Sequence, residues 1–353
     1  MSRLLLGWSD YWAPFIQADD KIIRITAVHR GLFEASDGNT DFRCYLSGKL
    51  QHSTSSAGEL PAVGDWCIVS SPFINEQNLP ALLIQRVLPR RSKISRVAAG
   101  TVADEQIIAA NVNYAFIVTS ANRDLNINRL HRYVLLAEEG AVTPVVLLSK
   151  IDLCHDYCFQ VEKIKQALPQ VGVVCTSMQG QIITDELRSL LKPGTTSVFI
   201  GSSGVGKSTL VNHLLGKQIQ ATKMIREGDD RGRHATSARE LFLIPNGGMI
   251  IDTPGLRELR VFGSEENVKA TFKSVNELAR ECRFSDCSHA AEPGCAVQAA
   301  VVAGDIDAKE IENYQKLLRE MEHKNRKMDK RFASNAKKRW KWISVAARNL
   351  RKR

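Results

Sequence analysis

No apolar run in these 353 residues reaches the ~18 needed to cross a membrane, and the Leu4-Leu5-Leu6 patch is too short for the core of a secretory signal. Both absences exclude the membrane classes and point to a soluble protein of the cytoplasm. The chain also lacks an internal repeat, which excludes solenoids and propellers. It has little acid to set against base at its end. From Lys316 to Arg353 stand 15 Lys/Arg and 3 Asp/Glu, so this stretch carries +12 of a net charge of +10, leaving −2 for everything before it. Basicity confined to one segment points to a polyphosphate partner, most often nucleic acid, or else to a solvated helix face.

The eight cysteines do not read as a disulfide framework. Cys44, Cys67, Cys154, Cys158 and Cys175 are scattered, which suits free thiols. The other three gather with a histidine as Cys282-x4-Cys287-x-His289-x5-Cys295. Three thiolates and an imidazole are the closed set of a structural tetrahedral zinc, with no position left for catalysis. Cys154-His155-Asp156-Tyr157-Cys158 reads as an ordinary loop.

Residues from about 20 to 90 alternate as short strands (KIIRITAVHRGLFEAS, DFRCYLSGKL, VGDWCIVS, ALLIQRVLP) with a turn at Asp37-Gly38-Asn39. Several strands with no helix between them suggest a small antiparallel barrel, and five in this length fit an OB-fold, a frequent oligonucleotide binder. Arg90-Arg91-Ser92-Lys93 reads as a polar linker. Beyond it strands (YAFIVTS, TPVVLLS, VGVVC, TSVFI) alternate with amphipathic RLHRYVLLAEEG, a helix closing on Gly140, and with helical QVEKIKQAL and DELRSLL, the pattern of a parallel sheet with ligands at its carboxyl edge. Strands stop after Ser264, where two helical stretches flank the Cys/His cluster.

Gly201-Ser202-Ser203-Gly204-Val205-Gly206-Lys207-Ser208-Thr209 is a phosphate-binding loop between a strand and an apolar helix. Its glycines allow backbone N–H groups to approach phosphates, Lys207 reaches the β/γ-phosphates, and Ser208 places its hydroxyl on Mg²⁺. Asp252-Thr253-Pro254-Gly255 follows the strand GGMII. Asp252 is expected to hold Mg²⁺ through water and the Gly255 N–H to sense the γ-phosphate. Ser149-Lys150-Ile151-Asp152 reads guanine: a carboxylate accepts from both N1–H and the 2-amino group, whereas adenine leaves it unpaired. Lys150 lies along the purine, and the Ser177 N–H meets guanine O6. In an ordinary GTPase the phosphate loop precedes the base loop. Here the order is reversed, so the nucleotide domain is circularly permuted.

The order SKID, TSM, GSSGVGKST, GRHAT, DTPG, preceded by a barrel and followed by the Cys/His cluster, closely resembles the RsgA (YjeQ/YloQ) family of circularly permuted GTPases that depend on the small ribosomal subunit. The resemblance covers residues from about 20 to 315. It implies an α/β P-loop GTPase domain at 93–262, an N-terminal RNA-binding OB-fold at 1–92, a helical zinc domain at 263–315 and a basic helix or tail at 316–353. It also implies a monomer that acts late in small-subunit maturation, binds rRNA, and leaves on GTP hydrolysis, with one structural Zn²⁺ and Mg²⁺ beside GTP. A nucleotide-gated RNA scaffold with incidental hydrolysis, and a P-loop ATPase or small-molecule kinase, are the competing classes.

Two positions depart from the family. Ser149 stands where Asn is usual, which predicts a weaker brace between base and phosphate loops. Ala235 replaces a threonine in Gly232-Arg233-His234-Ala235-Thr236, leaving Thr236 as the switch hydroxyl for Mg²⁺ and the γ-phosphate. Leu256, after DTPG, cannot orient a water. The resemblance assigns that role to His234, which otherwise packs within the switch. The tail KKRWKWISVAARNLRKR interleaves cations with Trp340 and Trp342, suited to RNA or to an anionic membrane surface.

Overall fold

The computed structural model describes residues 3–29, 31–54, 56–75, 80–97, 105–121, 125–177, 184–202, 204–216, 239–245, 247–252, 268–269, 271–285, 287–290 and 292–320. The chain divides into two compact units, Met1–Arg96 with Glu105–Val261, and Phe262–Arg353 with Val97–Asp104. Among the described residues no helix is long and apolar enough to cross a membrane. All eight cysteines are free thiols.

The first unit opens with a barrel of β1 (Lys21–Val28), β2 (Phe33–Ser36), β3 (Asp41–Leu46), α1 (Gly48–Ser53), β4 (Trp66–Val69), the short β5 (Phe73–Ile74) and β6 (Pro80–Val87). β1 pairs antiparallel with β2 and β4, β2 with β3, and β4 with β6, while β3 runs parallel to β6. That closes five strands on themselves in OB-fold order. Ile23, Ile25, Phe33, Cys44, Cys67, Leu82 and Ile84 fill the interior. The expected turn forms, Asp37 accepting from the N–H groups of Asn39 and Thr40 at 2.8 and 2.9 Å.

The segment read as a polar linker is a packed joint. Arg90 makes a two-pronged contact with Asp65, Nε to Oδ1 and Nη2 to Oδ2 both at 2.8 Å, and donates to the carbonyls of Gly58 and Leu60. Ser92 is buried and donates to Val112 O at 2.5 Å. Polarity signals exposure until a partner far away in sequence is known. β7 (Lys93–Val97) and β8 (Glu105–Ala110) then form a two-stranded sheet. Residues ahead of the barrel also contribute. Trp12 is fully buried beside Trp8 and Trp66, its indole N–H donating to Pro89 O at 2.8 Å.

The α/β part follows as β9 (Tyr114–Ser120), α2 (Ile127–Glu139), β10 (Thr143–Ser149), α3 (Tyr157–Ala167), β11 (Gly172–Cys175), α4 (Asp185–Leu190), β12 (Thr196–Gly201), α5 (Lys207–Leu215), β13 (Arg239–Leu243) and β14 (Met249–Asp252). Strands β11, β10, β9, β12 and β14 lie side by side in that order, all parallel. Alternate residues serve opposite faces: Ala115, Ile117, Val146 and Ile200 meet Leu130, Val134 and Ile164 of α2 and α3, while Phe116, Val118, Leu147 and Phe199 meet Leu187, Leu210 and Val211 of α4 and α5. Burial on both faces is why these strands read as continuous apolar runs. Gly140 ends α2, and a side chain there would put Cβ 1.6 Å from Lys93 O, so the close approach by β7 requires glycine. β13 pairs antiparallel with β14 on one side and with β1 on the other, joining Val28 to Arg239, so one sheet runs from the nucleotide core into the barrel.

In the second unit, α6 (Lys273–Ala279), α7 (Ala296–Ala303) and a helix over 308–320 bury Phe272, Val275, Val297, Ile311, Tyr314 and Leu317. The Trp-containing part of the basic tail lies outside the described residues.

Candidate nucleotide site and metal centre

Successive strands β9, β10 and β11 step outward in one direction, and β12 returns to the other side of β9. Strand order therefore reverses between β9 and β12, the place where open parallel sheets leave a crevice at their carboxyl edge. The phosphate loop begins there. At Gly201, φ is 146° and a Cβ would lie 2.2 Å from Val118 O, so only glycine lets the end of β12 lie this close to β9. Gly204 and Gly206 are left-handed, turning the chain into the first turn of α5. The Lys207 ammonium lies within the loop, donating to Gly201 O at 2.8 Å and to Ser202 O. Ser208 and Thr209 occupy that helical turn, where backbone N–H groups and the helix dipole favour an anion.

The base loop sits at the end of β10, paired with β9 from Thr143 to Ser149. Ser149 is buried, and its hydroxyl lies 2.7 Å from Val205 O in the phosphate loop and 3.0 Å from Thr119 O. A brace between the loops is thus present despite the substitution for asparagine, although one hydroxyl proton serves two carbonyls. Lys150, left-handed at φ 58°, adds a second brace by donating to Gly204 O at 2.7 Å. Asp152 lies in the following 3-10 turn, where its Oδ1 accepts from the Ser177 hydroxyl. The sequence reading gave Ser177 a backbone role only. Its side chain orients the Asp152 carboxylate, a partnership hidden by a separation of 25 residues.

Asp252 ends β14, the parallel neighbour of β12, and so comes to the same edge as the phosphate loop. Ser203, His234, Ala235, Thr236, Gly255 and Leu256 lie outside the described residues.

In the second unit the four ligand atoms of Cys282, Cys287, His289 and Cys295 lie within 4.8 Å of one another. Cys282 Sγ is 3.9 Å from Cys295 Sγ, and His289 Nδ1 is 3.6 and 3.5 Å from these two sulfurs. A tetrahedron with zinc–sulfur bonds of about 2.3 Å and a zinc–nitrogen bond of about 2.0 Å has edges of about 3.8 and 3.5 Å. The donor set fits such an ion. Burial opposes ionisation of Cys282, but the N–H groups of Val297 and Ala296 at the start of α7 bring its pKa below that of an ordinary thiol. Burial also lowers the His289 pKa, favouring the neutral ring that a metal requires. His289 is left-handed at φ 57°, and Gln298 and Gln315 hold its carbonyl at 2.6 and 3.0 Å. Cys295 caps α7, accepting from Gln298 N at 3.4 Å.

The family model for the RsgA GTPase matches residues 87–262, and that for the 50S ribosome-binding GTPase matches 196–332. The chain is 41% identical to small ribosomal subunit biogenesis GTPase RsgA 2 of Lactiplantibacillus plantarum, over 85% of this chain and 83% of the relative. To the RsgA of Opitutus terrae it is 39% identical, over 97% and 96%. The crystal structure of YjeQ from Thermotoga maritima superposes with a TM-score of 0.62 at 26% identity, covering 85% of this chain and 98% of that one. YloQ, a circularly permuted GTPase, shares the fold with a TM-score of 0.59 at 23% identity, over 88% and 96%. With base loop, phosphate loop and Asp252 brought to one sheet edge in permuted order, the chain belongs to the RsgA family of ribosome biogenesis GTPases.

Proposed function

We propose that this GTPase acts late in maturation of the small ribosomal subunit in the cytoplasm, bound as a monomer to rRNA and released when GTP is hydrolysed. The observation that carries the reading is the double brace: Ser149 and Lys150 contact the carbonyls of Val205 and Gly204, so base and phosphate recognition form one site. Asp152 accepts from guanine, with Lys150 along the purine and the Ser177 N–H at O6. Backbone N–H groups from Gly201 to Thr209, with Lys207, receive the phosphates. Mg²⁺ neutralises phosphate charge when bound, and Ser208, Thr236 and, through water, Asp252 are its holders. Gly255 senses the γ-phosphate. His234 orients the attacking water, since Leu256 offers it no polar atom.

Residues 1–92 form the RNA-binding barrel, 93–262 the nucleotide domain, 263–315 a domain organised by one zinc on Cys282, Cys287, His289 and Cys295, and 316–353 a basic segment contacting rRNA. Relatives' names specify the small subunit, whereas one matching family description specifies 50S. GTP hydrolysis by the full chain, alone and with purified small or large subunits, decides between them. Stimulation by small subunits alone is expected, lost in both Lys207→Ala and His234→Ala while His234→Ala retains GDP binding. Equal rates with and without small subunits overturn the reading, and subunit release unaffected by loss of hydrolysis favours a nucleotide-gated scaffold.

A further inference from the structure

A cavity of about 470 Å³ opens within the first unit where the barrel meets β8 and β13, away from the phosphate and base loops. Its volume falls in the range of small-molecule sites. Phe33 and Leu46, from β2 and β3, contribute apolar lining, and His29, Tyr45, Gln51, Gln106 and Arg239 supply polar groups, with His29 Nε2 3.3 Å from the Glu34 carboxylate. No carboxylate is among the described residues that line it. Arg239 donates to Ile107 O at a long 3.3 Å. It is mostly withdrawn from water: burial first, and then the neighbouring positive charge of Arg96, lower its pKa. A desolvated guanidinium in a cavity without an acid is matched by an anion, because a charge-assisted hydrogen bond offsets the lost hydration.

We infer that this cavity binds a small molecule with an apolar, ring-sized body and one anionic group, the body against Phe33 and Leu46 and the anion on Arg239. The position has a consequence for the nucleotide site. Arg239 is the first residue of β13, three residues after Thr236, and faces Val28 of β1 across the sheet. An occupant therefore touches the strand that leaves the switch segment.

The test uses the full chain with GDP saturating the nucleotide site, and 8-anilinonaphthalene-1-sulfonate as a fluorescent probe that joins an aromatic body to one sulfonate. Saturable binding of one equivalent is expected. Arg239→Gln should weaken it by about tenfold or more, with Arg239→Lys recovering part of the affinity, as for a charge-assisted contact. Gln51→Trp should block the cavity without disturbing a core, because α1 has no buried residue. Unchanged GDP binding in each variant verifies folding. The inference is overturned if the probe does not saturate, or if neither Arg239→Gln nor Gln51→Trp alters its affinity.

Discussion

In the first unit, helices cover both faces of a parallel sheet and a closed barrel supplies another apolar interior, so long runs of Val, Ile, Leu and Phe have somewhere to go. In the second unit, among the described residues, no sheet backs the helices. Their buried set centres on Phe272, Val275, Val297, Tyr314 and Leu317, and the loop between α6 and α7 converges three thiols and an imidazole instead of more apolar side chains. Among the described residues one region is held by area removed from water, while the other gathers a ligand set that a metal would fit. The former carries a phosphate loop turned by Gly201, Gly204 and Gly206, with β12 and α5 at its two ends.

Metal removal should break the comparison most forcefully. Structural zinc sites contribute apparent binding energies of roughly 10–16 kcal/mol, so chelation should expose the second unit to proteolysis while GDP affinity in the first persists. Zinc analysis should give about one equivalent, lost in Cys287→Ser. Loss of nucleotide binding together with the metal would show that the two units share their stability.

Within the first unit, Arg90→Met should cost about 3–5 kcal/mol in urea unfolding, because it takes both guanidinium donors from the wholly buried Asp65 carboxylate and leaves that charge with the Ala62 N–H. Replacing both partners by apolar residues, Asp65→Leu with Arg90→Met, should recover much of the loss. If the single substitution costs under about 1 kcal/mol, the joint is no more than a surface ion pair. The smallest effect is expected at Ser149→Ala. Removing a hydroxyl whose proton is shared by two carbonyls should weaken GDP binding by about 1 kcal/mol, or roughly fivefold. Titration calorimetry should show that loss with GTP-over-ATP preference retained. A collapse of base preference would make Ser149 part of guanine recognition itself.

Much of this organisation is legible in the sequence. The reversed order of SKID and GSSGVGKST specifies a permuted nucleotide core, because each motif needs its own strand end and loop chemistry. Alternating short strands foretold the barrel, and Gly140 the end of α2. The joint at Arg90 was not legible, since a run of polar residues has the same appearance whether solvated or paired with Asp65. The aromatic packing of Trp8 and Trp12 was missed for a similar reason: it belongs to neither a period-2 nor a 3.6-residue pattern.

By itself the sequence determined the chemistry available: the glycines of a phosphate loop, a carboxylate in SKID, and a cluster of three sulfurs and a nitrogen. These follow from residue type and short spacing, which the covalent chain specifies directly. Tertiary structure alone decided that the Ser149 hydroxyl reaches Val205 O, that Ser177 aims Asp152, and that β13 joins the nucleotide sheet to the barrel. Each depends on atoms that are distant along the chain and become neighbours only when burial of the apolar faces stacks the strands in one register.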